Sequence, residues 1–403
     1  MSSLLLTQAV SANRRQDAYS TVSLRQENLD YWPTEEWQFS TPEEQGMDSD
    51  KLDEAMAFIH ENDIRCDGLV VIRNGYIVYE DYPSSRYSSF TLHRLYSTTK
   101  SVLSALIGIA VDRGNISSID TPVLDYFPDI SPDNPSPEKE MMTLRHLLTM
   151  TAGIEWDEHS MSYSSSENPI GQMYRSSNPP KYFLDRPMAA TPGDVWVYNS
   201  GCSLLLSHIL NRTTGMKPLD FAYEYLFGPL GIDRAQWYVD STGIHSGAGE
   251  LFLTPRDLAK IGYLFLNNGT WDRETVISKD WVNESTTHLT ENQRMGSYLG
   301  YGLHWWTVPG LNLYFTAGLY GQEMYVDSAH NMIAVFTGSV PIGEVPPWLG
   351  IVYDFILPSL GLGNSTSETN TSVVTGSLVV MTVIIPLITT GVYWLILKRK
   401  NLR

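Results

Sequence analysis

Apolar residues recur along the chain with two different periods, and the changes of period mark out the elements. From Lys51 to His60 they return every three or four residues, which predicts an amphipathic helix. Gly68–Arg73 and Tyr76–Tyr82 are β-rich runs, and Asn74-Gly75 between them is the strongest two-residue hairpin signal. Ser97 through Arg113 is strongly apolar and predicts a helix that stops at Gly114. Asp129–Glu140 reads as a loop rich in Pro, Asp and Ser, Leu144–Met150 as a short helix, and Ser160–Pro192 as irregular. Gly201–Thr214 predicts a helix closed by Gly215, and Thr254–Asn267 another, with Thr254 as N-cap and Pro255 as first helical residue. Leu313–Thr316, Glu323–Asp327 and Met332–Thr337 read as strands joined by short turns. Strands toward both ends with helices between them predict an α+β fold, its antiparallel sheet completed by the two ends of the domain and flanked by a helical lobe.

The same patterning divides the chain. Residues 1–45 read as a polar extension, 46–360 as the globular domain, and 361–372 as a flexible linker rich in Ser, Thr and Asn. Residues 373–397 hold no charged side chain. At about 1.5 Å per residue that run is long enough for the roughly 30 Å of a bilayer core, which predicts one transmembrane helix. Pro386 can kink such a helix without preventing it from spanning. Lys398, Arg399, Lys400 and Arg403 follow, so the tail at 398–403 is expected in the cytoplasm and the large domain outside, making a single-pass membrane protein. Six Asn-x-Ser/Thr sequons, at Asn115, Asn211, Asn268, Asn283, Asn364 and Asn370, suit that side but add little weight. At the other end, Leu4-Leu5-Leu6 is too short for a signal peptide although Val10-Ser11-Ala12 would pass as a cleavage site, which suggests a true start upstream.

Composition narrows the classes. Of 403 residues 42% are hydrophobic and only 18% charged, enough to bury a large core. The formal net charge of -18 repels phosphate backbones, so no nucleic-acid partner is expected. Cys66 and Cys202 are the only cysteines and read as buried thiols, with one disulfide as the alternative. His93, His146, His159, His245 and His304 show no metal-ligand spacing and read as structural; no metal or cofactor is expected. Asp157-Glu158 reads as a solvated loop face rather than a carboxylate pair.

A nucleophilic serine needs an activating group and donors for an oxyanion. Ser97-Thr98-Thr99-Lys100 offers both: at a helix start, positions three apart share a face, so the Lys100 amine can reach the Ser97 hydroxyl, and the free N–H groups point outward. A second match, Ser136-Pro137-Glu138-Lys139, falls in the acidic loop, where no catalytic helix is expected. Two later segments fit with Ser97. Pro192–Gly201 places Tyr198 at the mouth of a helix, and a lysine ammonium nearby would favour its ionised, basic form. Tyr314–Gln322 is a strand edge in which Gly318 lets backbone approach a substrate. Trp196, Trp305, Trp306, Tyr314 and Tyr320 flank these segments and can line a pocket or pack the core.

In order and spacing these three segments resemble the class C β-lactamase-like serine hydrolases and penicillin-binding proteins, over about residues 45–360. The likeness extends to Gly249-Glu250-Leu251-Phe252-Leu253-Thr254-Pro255-Arg256-Asp257-Leu258-Ala259 and Tyr301-Gly302-Leu303-His304-Trp305-Trp306. The resemblance implies a β-lactamase/transpeptidase-like fold in which Ser97 is acylated, Lys100 and Tyr198 shuttle its proton, and the N–H groups of Ser97 and Leu319 form the oxyanion hole. Ser200, Thr316, Ala317 and Gly318 would contact the substrate, a small-molecule or peptide-like ester or amide. Two departures matter: Ser200 stands where the lactamases have Asn, and Thr316 where their sheet motif has Lys. Both resemble the esterase and 6-aminohexanoate-dimer hydrolase branch. The expectation is a membrane-anchored serine esterase or amidase, with a non-catalytic receptor on the same fold, or a β-lactamase or D-peptidase, as the alternatives.

Overall fold

The computed structural model describes residues 31–291 and 299–361. The segments expected as membrane helix and cytoplasmic tail, and the linker beyond Gly361, lie outside the described residues. Among the described residues no helix is long and apolar enough to cross a membrane.

Helix α1 (Ser49–Glu61) starts at Asp48, whose carboxylate accepts from the Asp50 N–H, and lays Leu52, Ala55, Met56 and Ile59 on the core. Strands β1 (Cys66–Arg73) and β2 (Tyr76–Asp81) form the expected hairpin. Asn74 and Gly75 take φ of 52° and 86°, the pair of positive values that a type I′ turn needs. Helix α2 (Thr99–Asp112) is buried from Thr99 to Ala110, as its all-round apolar sequence requires. Helix α3 (Ser200–Thr214) begins at the Asn199 cap and ends at Gly215, φ 72°. Helix α4 (Pro255–Leu266) is capped by Thr254, whose hydroxyl accepts from the Asp257 N–H.

The remaining strands of the main sheet are β3 (Thr290–Glu291), β4 (Gly300–Tyr301), β5 (Trp306–Val308), β6 (Leu313–Gly318), β7 (Gln322–Asp327) and β8 (Met332–Gly338). Their order is β2-β1-β8-β7-β6-β5-β4-β3, antiparallel throughout, so the early hairpin and the late strands close one sheet as expected. One face carries Thr316 and Met324, with α4 packed through Gly262, where a Cβ would lie 2.6 Å from the Met324 sulfur. The opposite face carries Phe315, Ala317, Glu323 and Tyr325, because Phe315 pairs with Tyr325 and Ala317 with Glu323.

Two expectations change. Residues 31–45 are part of the body rather than a polar extension: Trp37 is buried, and Phe39 bridges to Ile77. Ser160–Pro192 contains two short helices, Pro169–Arg175 and Pro179–Leu184, each capped by an asparagine (Asn168, Asn178) ahead of a proline.

Candidate active site

Ser97 stands on a single 3-10 turn, Tyr96–Thr98, rather than on the helix that was expected to begin with it; α2 follows directly. The turn is forced. Tyr96 has φ 49°, a left-handed conformation that costs a bulky residue roughly 1–3 kcal/mol unless its surroundings hold it. Here the Leu95 N–H donates to Leu251 O at 2.8 Å and the Thr98 N–H to Leu95 O at 3.1 Å. The Tyr96 ring lies 4.9 Å from that of Tyr320, and the Arg94 guanidinium sits 4.6 Å from its centroid.

Lys100 lies one turn on, and it is buried. Its Nζ donates to Ser97 Oγ at 3.1 Å and to Ala248 O at 2.6 Å. Burial pulls the amine down from the ordinary 10.5 to about 8, against the opposing charge of Glu158. Tyr198 enters immediately before the cap of α3, and its side chain shares the cavity with Ser97. Lys100 Nζ lies 5.0 Å from its ring centroid. The expectation of an ionised phenol is nevertheless corrected: burial first, and then the charge of Glu158, hold the Tyr198 hydroxyl well above its usual range. Tyr198 is therefore a neutral phenol at neutral pH, and Lys100 is the group able to shed a proton there.

Neither the Ser97 N–H nor the Leu319 N–H donates to a protein acceptor among the described residues. The two are brought near one another because β6 ends against the serine turn, where Gly318 is obligatory: a Cβ there would lie 2.3 Å from Leu95 O. Ala317, Gly318 and Leu319 line a cavity of about 240 Å³ that also reaches Ser97 and Tyr198. Thr316 and Ser200 do not line it. The Thr316 hydroxyl accepts from Thr98 Oγ1 of the serine turn and from the Met324 N–H, both at 3.1 Å. Ser200 gives both its N–H and its hydroxyl to Glu158 at 2.7 Å. Both hydroxyls thus have partners inside the protein, and neither side chain reaches the cavity wall where substrate contact was expected.

The cavity walls are mainly apolar, with Trp196, Trp306, Phe315 and Tyr325 prominent, and Tyr320 beside them; Trp305 and Tyr314 are core residues packed on each other, 5.4 Å apart. Among the described residues its ionisable side chains are Asp157, Glu158, His159, Tyr163, Tyr198, Tyr320, Tyr325, Glu323 and Glu344, with no Lys or Arg at the wall. Glu158 and His159 depart from their sequence reading. Asp157 is exposed, but Glu158 is buried and accepts four hydrogen bonds, from Trp156 Nε1 (2.6 Å), the Tyr163 hydroxyl (3.0 Å) and both Ser200 donors. His159 lies 5.3 Å from the Tyr198 ring on the cavity wall. The donor Ser200 is 42 residues distant from Glu158, so no local signal announces the arrangement.

The second Ser-x-x-Lys match is structural. A four-residue helix does begin there, Pro137–Glu140, with Ser136 as its cap, but Lys139 Nζ is held by the carbonyls of Asn134, Leu184 and Arg186 at 2.6–2.9 Å. A further concavity of about 290 Å³ near Thr286–His288 and Thr307–Tyr314 touches none of Ser97, Lys100 and Tyr198. Cys66 and Cys202 are buried free thiols, and burial pushes Cys66 up to about 12, which keeps it unreactive. Among the described residues no three His, Cys, Asp or Glu side chains gather as they would around a metal ion.

Comparison with known proteins agrees with this geometry. The Beta-lactamase family model matches residues 43–342. The 6-aminohexanoate-dimer hydrolase of Paenarthrobacter ureafaciens is 25% identical over 316 residues, covering 72% of this chain and 77% of that protein. Esterase EstB of Burkholderia gladioli is 27% identical over 177 residues, 40% of this chain and 44% of that protein. Among solved structures, EstCE1, a hydrolase with promiscuous acyltransferase activity, superposes with a TM-score of 0.64 at 14% identity, covering 78% of this chain and 98% of its own. A class C beta-lactamase mutant gives 0.60 at 16%, covering 77% and 97%. At such identities these two likenesses speak to the fold.

Proposed function

The chain belongs to the beta-lactamase family and is a serine hydrolase, and on that premise we propose that it cleaves an ester or a linear amide through an acyl-enzyme on Ser97. The observation that carries this reading is the Lys100 Nζ–Ser97 Oγ contact of 3.1 Å at the mouth of an apolar cavity, with two unengaged backbone N–H groups beside it.

The unprotonated Lys100 amine takes the Ser97 proton as Oγ attacks the substrate carbonyl, forming the Oγ–C bond. The oxyanion settles on the N–H groups of Ser97 and Leu319, positions that the fold holds before substrate arrives. Collapse breaks the C–O or C–N bond, and the leaving group takes the proton from Lys100 through the neutral Tyr198 phenol. Water then repeats the sequence on the acyl-enzyme, releasing the acid and restoring Ser97.

The substrate class follows from charge. Thr316 leaves no lysine at that place in the sheet motif, and the cavity wall carries Asp157, Glu158, Glu323 and Glu344, carboxyl groups that would disfavour an anionic substrate such as a penicillin. Like-charge juxtaposition costs several kcal/mol, so kcat/KM for chromogenic esters should exceed that for a chromogenic cephalosporin by about 100-fold or more. Both activities should vanish in Ser97→Ala. A cephalosporin turned over faster than the esters would overturn the assignment of substrate class.

The sequence further supports a membrane-anchored arrangement in which residues 46–360 form the catalytic domain outside the cell, 361–372 the linker, 373–397 one spanning helix and 398–403 a cytoplasmic tail.

A further inference from the structure

Two buried carboxylates border the cavity, and they are engaged differently. Glu158 has both oxygens occupied, Oε1 by the Tyr163 and Ser200 hydroxyls and Oε2 by Trp156 Nε1 and the Ser200 N–H. It is a structural clasp with no capacity left. Glu323 is less withdrawn, at 9% exposure against 1% for Glu158, and only its Oε2 is engaged, by the Tyr325 hydroxyl. Its Oε1 has no protein partner among the described residues, and the open space beside the side chain is the cavity that Glu323 shares with Ser97. A carboxylate oxygen left open at an otherwise apolar wall is a ready acceptor for a ligand cation.

Its position is also specific. Glu323 pairs across the sheet with Ala317, two residues before the Leu319 N–H, on the sheet face that carries the stacked rings of Trp306, Phe315 and Tyr325. Two strand residues span about 7 Å, so a short substrate arm starting at the scissile carbonyl can run along these rings and end at Glu323. Among the described residues no Lys or Arg lines the cavity to compete for the carboxylate.

We propose that the enzyme prefers esters or amides carrying a cationic amino group on a short apolar arm, with Glu323 as the counter-charge that receives it. The inference rests on the Ser97 hydrolase reading and adds to it the charge of the substrate. Burial alone holds the empty-site carboxyl up to about 8, as it would for a group awaiting a positive partner.

The test compares isosteric pairs, an ester whose arm ends in ammonium against the same ester ending in methyl, with the arm placed first on the acyl side and then on the alcohol side. In one placement or the other, kcat/KM for the cationic member should be at least about tenfold higher, mostly through KM, which corresponds to about 1.4 kcal/mol. In Glu323→Gln that ratio, taken within the variant so that any general loss cancels, should fall to near unity. Independently of any mutation, an n-alkylammonium ion should inhibit the wild-type enzyme at lower concentration than the alcohol of equal length. Equal rates for both members in both placements, or a ratio unchanged in Glu323→Gln, would refute the role of Glu323 while leaving the hydrolase assignment standing. Absence of turnover on every ester would instead refute the hydrolase reading beneath it.

Discussion

A lysine amine ordinarily keeps its proton to above pH 10, and a serine hydroxyl next to such an ammonium is no better a nucleophile than one in water. Lys100 escapes this because its amine is buried beside Ser97, which brings its proton within reach at about 8. The free amine is the basic form. Log kcat/KM for a neutral ester should therefore rise with pH, one unit per pH unit, and level off above about 8; Lys100→Arg, which cannot deprotonate, should lose at least about 10³-fold and the alkaline rise with it. A profile flat from pH 6 to 10 would transfer the base role to another group. Ser97 and Lys100 sit in a local pattern, a nucleophile and its base one helical turn apart, but that pattern occurs twice in the chain; the order of three distant segments and their family resemblance singled out Ser97 and Lys100 and added Tyr198. The charge of Tyr198 was not legible, since it depends first on burial and then on Glu158, a residue whose partners Tyr163 and Ser200 meet it only in the folded chain. The internal partners of Thr316 and Ser200 were hidden for a related reason: the places of these residues in the motifs are local, while the groups that meet their hydroxyls are not.

At the scale of elements, the serine turn and the end of β6 act as one unit. Tyr96 and Tyr320 both hold left-handed backbone, φ 49° and 65°, and their rings meet across the junction. Gly318 lets the two segments touch. Gly318→Ala would place a methyl group 2.3 Å from Leu95 O, a backbone atom that cannot swing aside, so the Leu319 N–H must move away from Ser97. We expect kcat to drop by about 10²–10³-fold, the loss seen when an oxyanion donor is removed, with KM little altered and the melting temperature lowered. An Ala variant of wild-type activity would show that the Leu319 N–H is dispensable. Elements with strong punctuation were readable in advance: Asn74-Gly75 for the hairpin, Thr254-Pro255 for α4, Gly215 for the end of α3. The helices Pro169–Arg175 and Pro179–Leu184 were not, although Asn168-Pro169 and Asn178-Pro179 are sound start signals. Each has too few residues for an apolar period to show against its surroundings.

For the whole molecule, the pairing of β1 with β8 brings the early hairpin onto the last strands, so the domain closes only when both ends are made. The extended strand patterns at the two ends made that closure legible; the packing of Trp37 and Phe39 onto it was hidden in a segment with no periodicity. The net charge of -18 and the uncharged run at 373–397 bear on where this domain works. In cells, full-length protein should stay with membranes through an alkaline carbonate wash, and protease added outside should digest the catalytic domain. A chain truncated after Gly361 should be released. Full-length protein recovered in the wash would contradict the anchor. The central claim is chemical, that Ser97 is an activated nucleophile, and it is tested most directly by treating the full-length protein with a fluorophosphonate and mapping the modified peptide. Stoichiometric label on Ser97, absent in Ser97→Ala and strongly slowed in Lys100→Arg, is the predicted result; a folded protein left unlabelled by the fluorophosphonate and by small p-nitrophenyl esters alike would contradict it.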